Sequence, residues 1–536
     1  MTLVNNEFLR SIRAFFPTDK HQLIQLSKVT IPIVLASFLI SINNFVDNFM
    51  VTGVKNGITA LGLANAWTGI SFSFILGVNF VSAVLFGQYF GSRNVEKCRE
   101  INNLRYILTI SFVLFFCIAA WSNPVAMIKV VSGNQSADNN PNYQDTLNQA
   151  SLYLRVIAIS WLIISFNFST NLILREMKQL KSALFFTFLS LVINITFNLI
   201  LIPKLGSVGS AIATVIARAI VFITVYVFIF FKNRDFIFIP WKAFVISKII
   251  WVQFSKRITG ALLTTGGTIA TSVRIFIWPQ GFPQGSIGVG EWKAAWGIGV
   301  ITILGITNTI IQALTSSFSS IQANISIFVS RLLGQNKIDE ATRNAKVLKG
   351  YLFLFAVILS ALLAIYNISI LHIDSFARGI EHGIQETLQP DVTKDQVVGE
   401  WAQKFAKAYP DATQLKNELI NQQFLAANFF KHQVFYSGWV IIVFNPMWMW
   451  MLTSIRIIPA GGKSNISSTW EFAFGVMQTI WLVIVVFLIT PNINISPEAN
   501  FPISFLIFYL SDVVKFAVYE ILYNKIDWAK NITKTA

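Results

Sequence analysis

The stretch Ile31-Pro-Ile-Val-Leu-Ala-Ser-Phe-Leu-Ile-Ser-Ile-Asn-Asn-Phe-Val-Asp-Asn-Phe-Met-Val51 decides the fold. Crossing a bilayer takes roughly 20 mostly apolar residues, and this run supplies them. It also carries one carboxylate, Asp47. An acid within a spanning helix costs about 2.5–3.5 kcal/mol on insertion scales, so Asp47 is expected to face protein or a water-filled cavity and to have a functional reason for being there. Ser37, Ser41, Asn44 and Asn48 recur at i, i+4, i+7 and i+11, and Asn43 and Asn44 lie one turn before Asp47. These polar side chains share one flank of the helix, which cannot comfortably meet hydrocarbon.

The rest of the chain has the same character. Of its 536 residues 54% are hydrophobic and 12% charged, about half the charge of a soluble domain. Mean hydropathy is +0.60. The composition is that of a polytopic membrane protein. The first 28 residues show no small-residue cleavage site behind a short apolar core, so no removable signal peptide is expected. Cys98 and Cys117 fit neither a disulfide framework nor a metal site, and His372, His382 and His432 match no metal-binding spacing, reading instead as solvated loop residues. No nucleophile elbow, metal-ligand cluster or phosphate-cradling glycine loop is present. Neither an enzyme nor a resident cofactor or metal is expected. No repeated filter group suggests a channel.

Apolar runs predict twelve spans, at about 26–51, 61–90, 106–130, 151–174, 183–202, 208–231, 258–278, 294–330, 350–371, 433–455, 470–490 and 501–522. With the amino terminus inside, 28 of the 41 Lys and Arg fall in cytoplasmic segments. The positive-inside rule then predicts a multi-pass cell-membrane protein with both termini cytoplasmic. In a membrane protein, the net charge of +16 reflects this topology, and no nucleic-acid partner is expected.

Two halves repeat. Gly91-Ser-Arg-Asn-Val95-Glu96 is echoed by Gly334-Gln-Asn-Lys-Ile338-Asp339, and Leu174-Arg175 with Lys181-Ser182 by Ile455-Arg456 with Lys463-Ser464. Six spans per half is an even number, so the halves run in the same sense about an axis along the membrane normal. The expected fold class is therefore an all-α membrane protein of twelve transmembrane helices in two pseudo-symmetric six-helix bundles. The layout is a cytoplasmic arm (1–28), a first bundle (29–232), a cytoplasmic linker (233–257), a second bundle (258–523) with an extracytoplasmic insertion (372–431), and a cytoplasmic tail (524–536). In the insertion, Val397, Val398, Trp401 and Phe405, then Leu415, Leu419, Ile420 and Phe424, suggest two short amphipathic helices capping the outer face.

Three further polar positions lie at the depth of Asp47. Asn194 and Asn198 stand one turn apart in the fifth span, and Thr214 flanks a small-residue ridge of Gly209, Ala213 and Ala217 in the sixth. A carboxylate among amide and hydroxyl oxygens can take up a proton or hold a small hard cation; interhelical hydrogen bonding is the plainer use of the same groups.

Asn43-Asn-Phe-Val-Asp-Asn-Phe-Met-Val-Thr-Gly53, Gly87-Gln-Tyr-Phe-Gly-Ser-Arg-Asn-Val-Glu96, Leu174-Arg175, Val192-Ile-Asn-Ile-Thr-Phe-Asn-Leu-Ile-Leu-Ile202 and Gly206-Ser-Val-Gly-Ser-Ala-Ile-Ala-Thr214 resemble the multidrug and toxic compound extrusion (MATE) transporters. The likeness covers nearly all twelve spans and is sharper in the first half. It implies a proton- or sodium-responsive site at Asp47, Asn194, Asn198 and Thr214, with Asn44 beside it. Asn198 stands where the family pattern often has aspartate, leaving Asp47 as the cluster's only carboxylate. The acids that some members carry in the seventh or tenth span have no counterpart in 258–278 or 433–455, which puts coupling in the first bundle.

Elsewhere, Glu291 and Lys293 are expected to pair or face water, Arg218 and Arg274 either to steer an anionic substrate or, more simply, to bind carbonyls and acidic neighbours, and Asp512 with Lys515 to form an intrahelical ion pair. Trp439, Trp448 and Trp450 either pack the bundle or line a cavity for flat cations. The resemblance implies efflux of small amphipathic, cationic compounds by H+ or Na+ antiport, in a monomer with the bilayer as surroundings. The alternative is a flippase for lipid-linked or polysaccharide precursors, which would need a strongly cationic central cavity.

Overall fold

In hydrocarbon a backbone has no water to bond, so each apolar run must close its hydrogen bonds internally as a helix. The computed structural model describes residues 13–17, 19–51, 54, 57–132, 143–236, 239, 244–282, 286–288, 298–373, 407–493 and 495–533. The first half holds α1 (Lys20–Val51), α2 (Gly57–Gly91), α3 (Val95–Ser122), the short α4 (Pro124–Ser132), α5 (Tyr143–Glu176), α6 (Leu180–Leu205) and α7 (Ser207–Lys232). The second holds α8 (Lys248–Gly281), α9 (Val300–Thr315), the short α10 (Ser319–Ile325) and α11 (Arg331–Gly334), then α12 (Ile338–His372), α13 (Ala412–Ile457), α14 (Ser464–Ile484) and α15 (Pro497–Lys525).

Ten described stretches are long and apolar enough to cross a membrane. One of them, Leu180–Lys232, is the α6–α7 hairpin, folded at Gly206 with φ +60°. The eighth predicted span is present in pieces as α9–α11, so each of the twelve has a counterpart. The chain is an all-α, multi-pass membrane protein.

Each half packs in the same way. In the first, α1 lies on α6, and α5 gathers α2, α3 and α7; in the second, α8 lies on α14, and α13 gathers α9, α12 and α15. The repeat reaches the backbone bonds. Ser92, Arg93 and Asn94 donate their N–H groups to Gln88, Phe90 and Tyr89, and Gln335, Asn336 and Lys337 donate to Arg331, Leu333 and Leu332. Arg93 and Asn336, the third residues of the two echoed motifs, turn at φ 60° and 64°.

These motifs are also where the bundles meet. A Cβ on Gly91 would lie 2.2 Å from the Arg331 carbonyl oxygen, and one on Gly334 would lie 2.0 Å from that of Gln88. Glycine at both positions lets the backbones of α2 and α11 touch. Gln88 then secures the carboxy-terminal segment: its Nε2 donates to the carbonyls of Ala460 (2.6 Å) and Lys530 (3.0 Å), and its Oε1 accepts from the Ile532 N–H (2.8 Å). Gln253 of α8 donates to the Ile532 carbonyl (3.2 Å). The bundles are thus locked together at the end that carries the echoed Lys- and Arg-bearing turns.

Several element boundaries differ from the sequence expectation. The third span ends at Ser122, since Asn123 caps it and Pro124 follows. The seventh begins at Lys248, ten residues before its expected start at 258. The eighth breaks because Ser316, Ser317, Ser319 and Ser320 each turn a hydroxyl onto the carbonyl three residues back. Such local bonds compete with the helical ladder and bend it, and a π-helical turn follows at Ser326–Ser330. The second expected amphipathic helix is no separate cap. It is the start of the 46-residue α13, where Ile420 and Phe424 are exposed. The first, at Val397–Phe405, lies outside the described residues, as do Glu291 and Lys293.

Candidate functional site

The site is built where α1 packs on the α6–α7 hairpin. Gly209 gives the hairpin its close contact, since a Cβ there would come within 2.4 Å of the Leu201 carbonyl oxygen. Ala213 and Ala217 are buried on the same ridge. That contact places Thr214 opposite Asn194. Four of the five predicted residues form one chain of hydrogen bonds. Asn194 Nδ2 donates to Thr214 Oγ1 (3.1 Å), Asn198 Nδ2 donates to Asn194 Oδ1 (3.0 Å), and Asn198 Nδ2 also donates to Asp47 Oδ1 (2.6 Å). Asp47, Asn194, Asn198 and Thr214 are all buried. The side chain of the fifth, Asn44, lies outside the described residues. Its neighbour Asn43 completes the chain by donating Nδ2 to Asp47 Oδ2 (3.2 Å).

What separates Asp47 from the other buried acids is its lack of an ionic partner among the described residues. Glu100, Glu176, Glu471, Asp512 and Glu520 each have a Lys or Arg nitrogen within 4.0 Å: Lys97, Arg105, Arg456, Lys515 and Lys349 respectively. Among the described residues no such nitrogen contacts Asp47. Arg218 is near enough to act on it electrostatically, but its Nη1 donates to Ser160 Oγ (2.6 Å) instead. Among the described residues, two amide oxygens beside Asp47, Asn43 Oδ1 and Asn198 Oδ1, are buried without a hydrogen-bond partner. The cluster therefore presents a carboxylate and two unused carbonyl-type oxygens, the donor set of a proton site or of a small hard cation.

A cavity of about 140 Å³ opens next to the cluster inside the first bundle. Asn43, Asn167, Asn171, Arg175, Thr187, Ser190 and Arg218 supply its polar lining, with no carboxylate among the described lining residues. Sequence reasoning did not place Arg175 or Arg218 here. It also missed Tyr153 of α5, buried within electrostatic reach of both Asp47 and Arg218. Asn43 was legible from its i, i+4 spacing to Asp47. Arg218 was likewise legible from its i, i+4 spacing to Thr214 on α7; for Tyr153 there was no local signal, because only the packing of α5 against α7 brings it in.

The second bundle uses its polar groups for packing. Asp512 accepts from Gln478 Nε2 (2.6 Å) and Trp448 Nε1 (2.9 Å), with Lys515 at 3.9 Å. Arg274 donates to the Gly475 carbonyl (3.0 Å) and Thr479 Oγ1 (3.2 Å). Trp448 is buried, and Trp450 lies tilted against Phe15 and edge-to-face with Phe353, with Lys349 Nζ over its ring.

The MatE family profile matches residues 32–200, the segment that holds Asp47, Asn194 and Asn198. A probable multidrug resistance protein, YoeA, of Bacillus subtilis (strain 168) is 22% identical over 333 residues, spanning 60% of this chain and 67% of that protein. Two solved structures share the fold. A MOP superfamily transporter from Pyrococcus furiosus Vc1, whose binding pocket is described as reversed in polarity, aligns with TM-score 0.66 and 16% identity over 96% of this chain and 99% of its own. A multidrug resistance MATE transporter in an outward-facing conformation aligns with TM-score 0.65 and 16% identity over 96% and 98%. The profile match over residues 32–200, the multidrug-resistance relative and the shared fold agree with the motif resemblance: the chain carries a MatE segment and has the fold of the MATE transporter structures.

Proposed function

We propose that the chain is a secondary active exporter in which uptake of a proton or Na+ at Asp47 resets the first bundle and drives an amphipathic, cationic compound out of the cell. The single observation that carries this reading is the buried carboxylate with two amide donors and no ionic partner in contact. An acid left unpaired at that cost is retained for a purpose, and its charge can be cancelled in two ways. A proton on Oδ2 turns an acceptor into a donor and breaks the bond from Asn43 Nδ2. Asn43 Oδ1, which has no partner, can then accept after the amide rotates. A cation would instead draw on the carboxylate with Asn43 Oδ1 and Asn198 Oδ1. The proton rearranges the Asn43–Asp47 contact within α1 and weakens the acceptor that Asn198 holds from α6, whereas a cation would add a link between the two helices.

Two similar bundles locked at one end fit alternating access by rocking. Because 28 of the 41 Lys and Arg fall on one side, we place that locked end and both termini in the cytoplasm of a cell-membrane protein. The test is cargo uptake into everted vesicles under imposed gradients. Uptake should stop when both the proton and the sodium gradient are collapsed; uptake indifferent to that collapse would refute coupling.

One observation favours a second reading. Arg175 and Arg218 line the first-bundle cavity and, among the described residues, no acid does, which suits an anionic cargo such as a lipid-linked precursor. Competition decides between the two. Cationic dyes should displace the cargo under the first reading, and amphipathic phosphates under the second.

A further inference from the structure

At the locked end of the molecule the start of α1, the α5–α6 turn and the end of α7 enclose an open recess of about 940 Å³. Among the described residues its charged lining is Lys28, Lys178, Lys181 and Lys232, with no Asp or Glu. All four lysines are exposed, and none of them is ion-paired among the described residues. Lys178 and Lys232 rest over the rings of Phe328 (5.8 Å) and Phe228 (5.4 Å). A reciprocal amide pair joins the α5–α6 turn to the end of α7 beside the recess: Gln179 Nε2 donates to Asn233 Oδ1 and Asn233 Nδ2 to Gln179 Oε1, both at 2.9 Å. From the lysines an apolar wall of Leu23, Ile24 and Ile31, each about two-fifths exposed, continues along α1 toward the hydrocarbon.

We propose that this recess binds the phosphate head group of an anionic phospholipid from the adjoining leaflet, with its acyl chain along the α1 wall. Four unpaired ammonium groups concentrated in one preformed recess at a helix-bundle edge match a phosphodiester in charge. The apolar wall matches a lipid rather than a free anion, which would have no use for it. The site joins α1, the helix of Asp47, to the α5–α6 turn and the end of α7, so a bound lipid braces the first bundle. Nothing in this proposal depends on which ion Asp47 takes up.

The test is native mass spectrometry of the purified full chain, titrated with phosphatidylglycerol or phosphatidylcholine in detergent. Phosphatidylglycerol should be retained in preference, and each Lys→Gln change among the four should lower its retention on the order of fivefold. The fourfold Lys→Arg variant keeps the charge and should retain the lipid, which separates loss of binding from loss of fold. Millimolar inorganic phosphate should not displace the bound lipid. Equal retention of the two lipids, a fourfold Gln variant that behaves as the native chain, an Arg variant that fails to bind, or ready displacement by phosphate would each overturn the assignment.

Discussion

The contact between the echoed glycines gives a quantitative handle on the lock between the bundles. In Gly334→Ala the new Cβ would stand 2.0 Å from the Gln88 carbonyl oxygen, and ordinary contact begins at 3.4 Å, so α2 and α11 must part by about 1.4 Å. Overpacking of this kind costs about 1–3 kcal/mol, borne by the locked state alone. The closed–open equilibrium should therefore shift by roughly 5- to 150-fold. A native reporter exists, because Cys98 is fully buried and lines a pocket with Gly91, Arg93 and Arg331 beside this contact. With Cys117, the other cysteine, replaced by Ala, the rate of maleimide attachment at Cys98 reads the opening of this end. Gly62→Ala is the matched control, since a Cβ there meets nothing within 4 Å. The rate should rise in Gly334→Ala and stay at the native value in Gly62→Ala. An unchanged or slower rate in Gly334→Ala would show that the glycine contact does not hold the bundles shut.

Two further expectations concern the same region. Removing residues 528–536 deletes the segment that Gln88 and Gln253 hold; Cys98 attachment should then accelerate as it does in Gly334→Ala, and protection equal to that of the full chain would mean the segment is a bystander. Arg105 and Glu176 form an ion pair with both side chains fully buried, and Glu176→Gln leaves the guanidinium uncompensated. A loss of about 3–5 kcal/mol is expected, visible as a lowered thermal transition in detergent and partly recovered in the double variant Arg105→Gln/Glu176→Gln; a single variant as stable as the native chain would rule out the pair as a structural anchor.

Much of this architecture is legible in the sequence because the bilayer leaves so few options. A run such as Ile31–Val51 can only be a helix, and an acid within it must face inward. The convergence of Asp47, Asn198, Asn194 and Thr214 follows from their common depth and from the small-residue ridge at Gly209, Ala213 and Ala217. The twofold repeat is readable from Gly91 and Gly334, although the contact of each with the other's helix is a property of the assembled pair. What could not be read is whatever depends on competition or on distant packing. The break in the eighth span is the summed effect of four serine hydroxyls, none unusual alone. The continuous α13 hides its boundary because the polar residues before the tenth span are good helix formers too. Tyr153 comes within electrostatic reach of Asp47 and Arg218 from a different helix, α5, and nothing local announces it.

The central claim is that Asp47 exchanges its charge when cargo binds or leaves. It is tested most directly by following proton and Na+ release from the purified protein on addition of a transported dye, in the native chain and in Asp47→Asn. The substitution keeps the size of the side chain and removes its charge. The native protein should release about one proton or one Na+ per bound dye molecule, a release that lessens as the pH or the Na+ concentration moves away from the exchange range. Asp47→Asn should bind the dye and release neither. Equal release from both proteins would contradict the account and leave the carboxylate as a structural hydrogen-bond acceptor.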